Sequence, residues 1–134
     1  MKCIRVSNPD DFDSQIDEAT KSSDAVFVLF FGRESPATNE SWCPDCVIAD
    51  PIVRKAIGTV KNSILLEVPV DRSSDISSPT NIFRKRRDIS LTRIPTLLRW
   101  TKSGPSSNRL VEDECKLEEN IEKFATETTV NSYK

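Results

Sequence analysis

A chain of 134 residues, 37% hydrophobic and 30% charged, is long enough to bury a core and reads as one globular domain. Its net charge of −2 supplies no strong field of either sign, which argues against nucleic acid as the main partner. The chain has no histidine, which removes Ser-His and Cys-His nucleophiles, histidine bases and mixed Cys/His zinc sites.

The first residues, Met1 to Val6, lack the apolar stretch of a signal peptide. The longest apolar run, Ala25 to Phe31, is too short to span a bilayer. A cytoplasmic protein with no membrane association is the expectation, in a compartment where structural disulfides are rare and a Cys-x-x-Cys pair is metal-binding or catalytic. Cys3 to Val6 suits a short strand. From Asn8 to Ser22, Phe12, Ile16 and Ala19 recur at helical spacing, with Asn8 as N-cap and Pro9 at the first helical position. Ala25 to Phe31 is rich in β-branched and aromatic residues and predicts a strand buried on both faces. Residues 32–41 are polar, with Gly32 and Pro36, and read as a loop.

A helix is expected from Cys43 to about Lys61, kinked at Pro51, which removes a backbone donor and crowds the preceding turn. Ile64 to Val70 predicts another strand, Asp71 to Ser78 a loop, and Pro79 to about Asp88 a short helix. Pro95 to Thr101 predicts a strand, Lys102 to Asn108 a turn, and Arg109 to Val111 a short strand. Leu117, Ile121, Phe124 and Ala125 give a closing helix its apolar face, with residues 126–134 expected to fray. Trp100, Phe27, Phe30 and Phe31 are core aromatics on this reading. The order β-α-β, long helix, β-α-β-β-α predicts an α/β fold, with a central mixed sheet flanked by helices on both faces.

The chemistry concentrates in Ser41-Trp42-Cys43-Pro44-Asp45-Cys46. Two thiols with two residues between them can close and reopen a small disulfide ring on the first turn of a helix. At a helix N-terminus, backbone N–H groups and the macrodipole favour a Cys43 thiolate, the species that attacks disulfides. Pro44 suits the first turn because its missing donor is not needed there. Asp45 opposes the thiolate by roughly what the dipole contributes, about 1.4 kcal/mol for charges ~6 Å apart, so a reducing rather than oxidising poise is expected. A zinc site would need Cys3 and Cys115 as further ligands, and neither has a neighbouring cysteine. Arg84-Lys85-Arg86-Arg87 reads as a solvated basic face. Ile94-Pro95-Thr96, just before a strand, is a candidate cis-proline facing the thiols.

With these residues, Pro51, Pro79, Asn81, Phe83-Arg84, Pro95-Thr96-Leu97-Leu98, Leu110-Val111-Glu112 and Glu114-Cys115, the chain resembles the thioredoxin superfamily. Within it, it is most similar to the thioredoxin-related 14 kDa protein (thioredoxin domain-containing protein 17) family. The resemblance implies a thioredoxin fold and a cytosolic disulfide reductase, with Cys43 as nucleophile, Cys46 as resolving thiol and Pro95 as the cis-proline. Trp42, Pro44 and Asp45 would shape the surface that meets substrate. No bound cofactor is implied; electrons would come from NADPH through thioredoxin reductase, and a monomer is expected. Substrates would be small disulfides such as cystine and selected protein disulfides, with the 32–41 loop a candidate for restricting bulky ones. Thioredoxins carry a buried aspartate in the strand before the motif to move protons from the resolving thiol. Leu29 occupies that position here, which leaves Asp45 as a candidate replacement. Two further readings stay open: a glutathione-coupled, glutaredoxin-like oxidoreductase, and a binding module whose thiols sense redox state.

Overall fold

The end-to-end apolar run predicted for the second strand is buried at every position in the computed structural model, which describes residues 1–72 and 81–131. This strand, β2 (Val26–Gly32), is the centre of a five-stranded sheet. The other strands are β1 (Lys2–Arg5), β3 (Ile64–Val70), β4 (Thr96–Thr101) and β5 (Gly104–Val111). They lie in the order β1-β3-β2-β4-β5, with β1 and β2 parallel to β3, β4 antiparallel to β2, and β5 antiparallel to β4. The helices are α1 (Phe12–Ser22), α2 (Pro44–Gly58), α3 (Ile82–Lys85) and α4 (Glu118–Asn131).

Side chains alternate across β2, so its two sets of aromatics serve two layers. Phe30 stacks near Phe12 of α1 and meets Phe83 of α3 edge-on at 5.1 Å between centroids, while Trp100 of β4 meets Phe12 at 5.4 Å. Phe27, on the opposite face, packs at 6.3 Å from Phe124 of α4. The mixed sheet covered by helices on both faces, as expected from the element order, follows directly from this division.

Asn8 does cap the first helical turn, accepting from the Asp10 N–H, but that turn is a 3-10 segment, Pro9–Asp11, before α1 proper. α2 runs through Pro51 and ends at Gly58, short of Lys61. α3 is only Ile82–Lys85, with the Asn81 side chain accepting from the Phe83 and Arg84 N–H groups; the expected loop from residue 73 on and the helix start at Pro79 lie outside the described residues. β5 begins at Gly104, so most of the expected Lys102–Asn108 turn is strand. Pro105 is tolerated because β5 is the sheet edge, where a missing donor breaks no ladder. Gly104 sits at φ +113°, a conformation that suits glycine, just after the tight Lys102-Ser103 turn. Leu117 precedes α4 and is 53% exposed, whereas Ile121, Phe124 and Ala125 are buried as expected. The backbone expected to fray is helical through Asn131, and residues 132–134 lie outside the described residues. Among the described residues no helix is long and apolar enough to cross a membrane.

The loop between β2 and α2 is tied down on both sides. Arg5 of β1 forks onto Glu34 at 3.1 and 2.8 Å, Arg33 pairs with Asp71, and the Ser35 N–H donates to the Glu40 carbonyl at 2.8 Å. The hydrogen bond from Arg5 holds the Glu34 carboxyl below its usual range. The stability of this pair is therefore present above the ordinary carboxylate range and is lost as pH falls through the depressed value. Because both side chains are about one-third exposed, solvent screens the pair. Glu34→Gln should cost about 0.5–1 kcal/mol at neutral pH by urea unfolding. The gap to the parent protein should close below the carboxylate range, and a gap independent of pH would exclude the ion pair as its source.

Candidate active site

The two thiols of the motif meet where β2 ends and α2 begins. Cys43 is the N-cap of α2 and Pro44 its first residue, so the helix's free N–H groups gather at this end. The Cys43 backbone N–H donates to Ser41 Oγ at 3.1 Å, which fixes the entry to the helix. Both cysteines are largely covered, Cys43 at 6% exposure and Cys46 at 3%. Cys46 lies one turn in, where its sulfur accepts from the Gly32 N–H at 3.5 Å. Burial pushes the Cys46 thiol up strongly, and a hydrogen bond to the Cys43 sulfur pushes it further, while the Gly32 N–H acts the other way. All four cysteines are free thiols.

The Ile94–Pro95 peptide bond is cis and faces this pair: the Ile94 carbonyl lies 4.0 Å from the Cys43 sulfur. Ile94 and Pro95 are themselves buried at this point. Trp42 packs half-buried beside the motif, with Nε1 donating to the Val70 carbonyl at 2.9 Å. Val47 and Ile48 remain exposed on the next turn, giving the surroundings an apolar character.

Asp45 does not act on the thiols as a bare charge. Lys116, from the 3-10 segment Glu112–Lys116, places its ammonium 2.7 Å from Asp45 and 2.8 Å from Asp113. The negative charge expected to stand alone at Asp45 is therefore paired, through an ammonium it shares with Asp113, with a residue far along the chain. Leu29, at the strand position where thioredoxins carry a carboxylate, is fully buried and paired in register with Glu67.

Cys3 and Cys115 lie in opposite environments. Cys3 is exposed on the edge strand β1, with Arg54 Nη1 3.6 Å from its sulfur. Cys115 is completely buried beneath Pro95, its thiol 3.8 Å from the Pro95 carbonyl and 3.4 Å from that of Leu110. Burial pushes the Cys115 thiol up to about 12. Among the described residues no group of three His, Cys, Asp or Glu side chains is placed to hold a metal ion. The basic run at 84–87 is partly committed: Arg86 pairs with Asp13 and Asp88 and lies over the Phe12 ring.

Residues 5–127 match the family described as thioredoxin domain-containing protein 17-like, thioredoxin domain. The chain belongs to this family. It is 34% identical over 113 residues to thioredoxin domain-containing protein 17 of Epinephelus coioides, covering 84% of this chain and 85% of that protein. It is 29% identical over 122 residues to the thioredoxin-like protein Clot of Oryza sativa, covering 84% of this chain and 87% of that one. A stretch of 100 residues is 33% identical to acireductone dioxygenase of Leishmania infantum, where it spans only 29% of the longer protein. A poplar thioredoxin h superposes with a TM-score of 0.66 at 18% identity, covering 96% of this chain and 97% of that one, which establishes the thioredoxin fold. Membership of a thioredoxin-like family points to thiol–disulfide chemistry in general.

Gly32 was read from sequence only as the start of a loop, yet it carries the site. A Cβ added there would meet Ser41 Oγ at 2.7 Å, Trp42 Cε2 at 2.9 Å and the Cys43 Cβ at 3.0 Å. One of only three glycines in the chain, at the end of a buried strand, was the available signal. Gly32→Ala should cost about 1–3 kcal/mol in unfolding free energy, the range for overpacking a filled site. Gly58→Ala, whose added Cβ meets nothing within 4 Å, should be neutral or stabilising. Equal effects of the two substitutions would show that the close approach at Gly32 carries no strain.

Proposed function

We propose that the protein is a cytosolic thiol–disulfide oxidoreductase working as a reductase, with Cys43 as the nucleophile and Cys46 as the resolving thiol. The observation that carries this reading is the placement of Cys43 at the N-cap of α2, beside the Ile94 carbonyl, with Cys46 buried one turn inside the same helix. The Cys43 thiolate, supported by the helix end and by the Cys46 S–H, attacks one sulfur of the substrate disulfide. The mixed disulfide lies beside the Ile94 carbonyl and cis-Pro95, which can hold the substrate backbone in line. Cys46 then attacks Cys43, the substrate leaves as a thiol, and an external reductant reopens the Cys43–Cys46 disulfide.

Trp42, Pro44 and Asp45 form the rim that substrate meets, with Asp45 fixed in place by Lys116. The anchored 33–41 loop stands next to this rim. It supports a preference for small disulfides, cystine among them, and for selected protein disulfides over bulky ones. The chemistry runs through the protein's own thiols with no bound cofactor. NADPH would supply electrons through thioredoxin reductase, with the protein acting as a monomer.

The test compares two electron sources with cystine or insulin as substrate. NADPH consumption through thioredoxin reductase, abolished by Cys43→Ser, is the expected result. Turnover with glutathione and glutathione reductase alone would replace this reading with a glutaredoxin-like one. Absence of turnover in both systems would favour a redox-sensing module.

A further inference from the structure

Resolution requires that Cys46 lose its proton as it attacks Cys43, and the strand position that serves this purpose in thioredoxins is Leu29. The site nevertheless has a polar route to Cys46. A cavity of about 170 Å³ lies between the 33–41 loop and α2, lined by Cys46, Asp50 and Arg54 from the helix and by Glu34, Glu40 and Ser41 from the loop. This volume has room for several waters. Cys46 and Asp50 are four residues apart and so share one face of α2.

Asp50 is held there by design of its neighbours. Both of its carboxylate oxygens accept from Arg54 Nε, at 3.1 and 3.0 Å. Arg54 Nη1 reaches on to Glu67 at 2.6 Å, and Glu67 also receives Arg5 Nε at 3.1 Å. Burial works against the Arg54 charge, but the hydrogen bonds to Asp50 and Glu67 outweigh it and raise Arg54 above its usual value. Glu67, only 8% exposed, is the in-register neighbour of Leu29. The buried carboxylate therefore sits one strand away, locked by two guanidiniums, and its partner Arg54 aims a second carboxylate at the cavity.

We infer that Asp50, positioned by Arg54, receives the Cys46 proton through the water-filled cavity when Cys46 resolves the mixed disulfide. The inference rests on the assignment of Cys46 as resolving thiol. In this step the bond between Cys43 and the substrate sulfur breaks and the Cys43–Cys46 bond forms. The substrate sulfur departs with the electron pair as a thiolate, and the Cys46 proton passes by way of water to Asp50. The Cys46 sulfur passes from thiol to disulfide and the substrate sulfur from disulfide to thiolate, while Cys43 stays at the disulfide level, so no further reactant is needed. The strong upward push on the Cys46 thiol by burial is what makes an acceptor valuable.

The competing groups are less suited. Asp45 is paired with Lys116 and is not part of the cavity lining. Glu34 also lines the cavity, but it is anchored on the loop by both arms of Arg5 rather than on the helix face that carries Cys46. Glu67 is bound by Arg5 and Arg54 and lies behind the latter. Glu40, exposed on the loop, is the remaining carboxylate facing Asp50 across the cavity and serves as the control.

A chromogenic aryl disulfide separates the two chemical steps by stopped flow: attack by Cys43 releases one aryl thiolate, and resolution by Cys46 releases the second. Asp50→Asn should leave the first release unchanged and slow the second about 10²-fold at neutral pH, as for loss of a general base. The deficit should close at high pH, where hydroxide removes the proton directly, and Asp50→Glu should restore the rate while Glu40→Gln leaves it unchanged. In the unaltered protein, the second release alone should slow in deuterated water. The proposal is overturned by an unchanged second release in Asp50→Asn, by a deficit equal at every pH, by an equal loss in Glu40→Gln, or by no isotope effect on the second release. Absence of the first release in the parent protein would instead remove the assignment of Cys43 on which this rests.

Discussion

The close approach of residues 41–43 onto Gly32 is the constraint from which the site is built. β2 ends there in the middle of the sheet, and the chain leaves, circles through the 33–41 loop and comes back against its own strand end. Because position 32 has no side chain, Ser41, Trp42 and Cys43 can lie on its backbone. That contact sets where α2 begins relative to the sheet. It also brings the Gly32 N–H to the Cys46 sulfur, so one residue positions the helix and touches the inner thiol. The neighbouring strand takes part as well: the Val70 carbonyl accepts both from the Arg33 N–H and from Trp42 Nε1.

Around this contact, charges are arranged in pairs rather than left to act singly. A buried carboxylate such as Glu67 is tolerable because two guanidiniums, Arg5 and Arg54, compensate the loss of water. The same two arginines then extend outward, Arg5 to Glu34 of the loop and Arg54 to Asp50 of the helix. A single ionic chain thus joins β1, β3, α2 and the loop that precedes the motif. On the other side of the thiols, Lys116 offsets Asp45.

The fold was legible because its strongest signals are local. The unbroken apolar run in β2, the spacing of Phe12, Ile16 and Ala19, and the thiol pair with proline between its members each act over a few residues, and each lies in the expected element. What sequence reading missed depends on contacts between distant segments. Gly104-Pro105 carries turn chemistry yet forms strand, because β5 lies at the sheet edge and the turn is confined to the two residues before it. Leu117 looked like part of a helical stripe but falls before the helix. The partner of Asp45, the ionic chain through Glu67 and the cavity against Cys46 join residues whose proximity exists only once the sheet is assembled. Gly32 belongs between these cases, since its type was informative while its neighbours were not.

The division of labour between the two thiols is the central claim, and trapping tests it most directly. With Cys46 replaced by serine, Cys43 can attack a disulfide but nothing can release the product. Intact-mass and peptide-mass measurement after exposure of Cys46→Ser to an oxidised substrate should find a stable mixed disulfide on Cys43. Under the same exposure, Cys43→Ser should hold none at Cys46. Adducts at Cys46 in Cys43→Ser as abundant as those at Cys43 in Cys46→Ser, or adducts at the exposed Cys3 alone, would contradict the account.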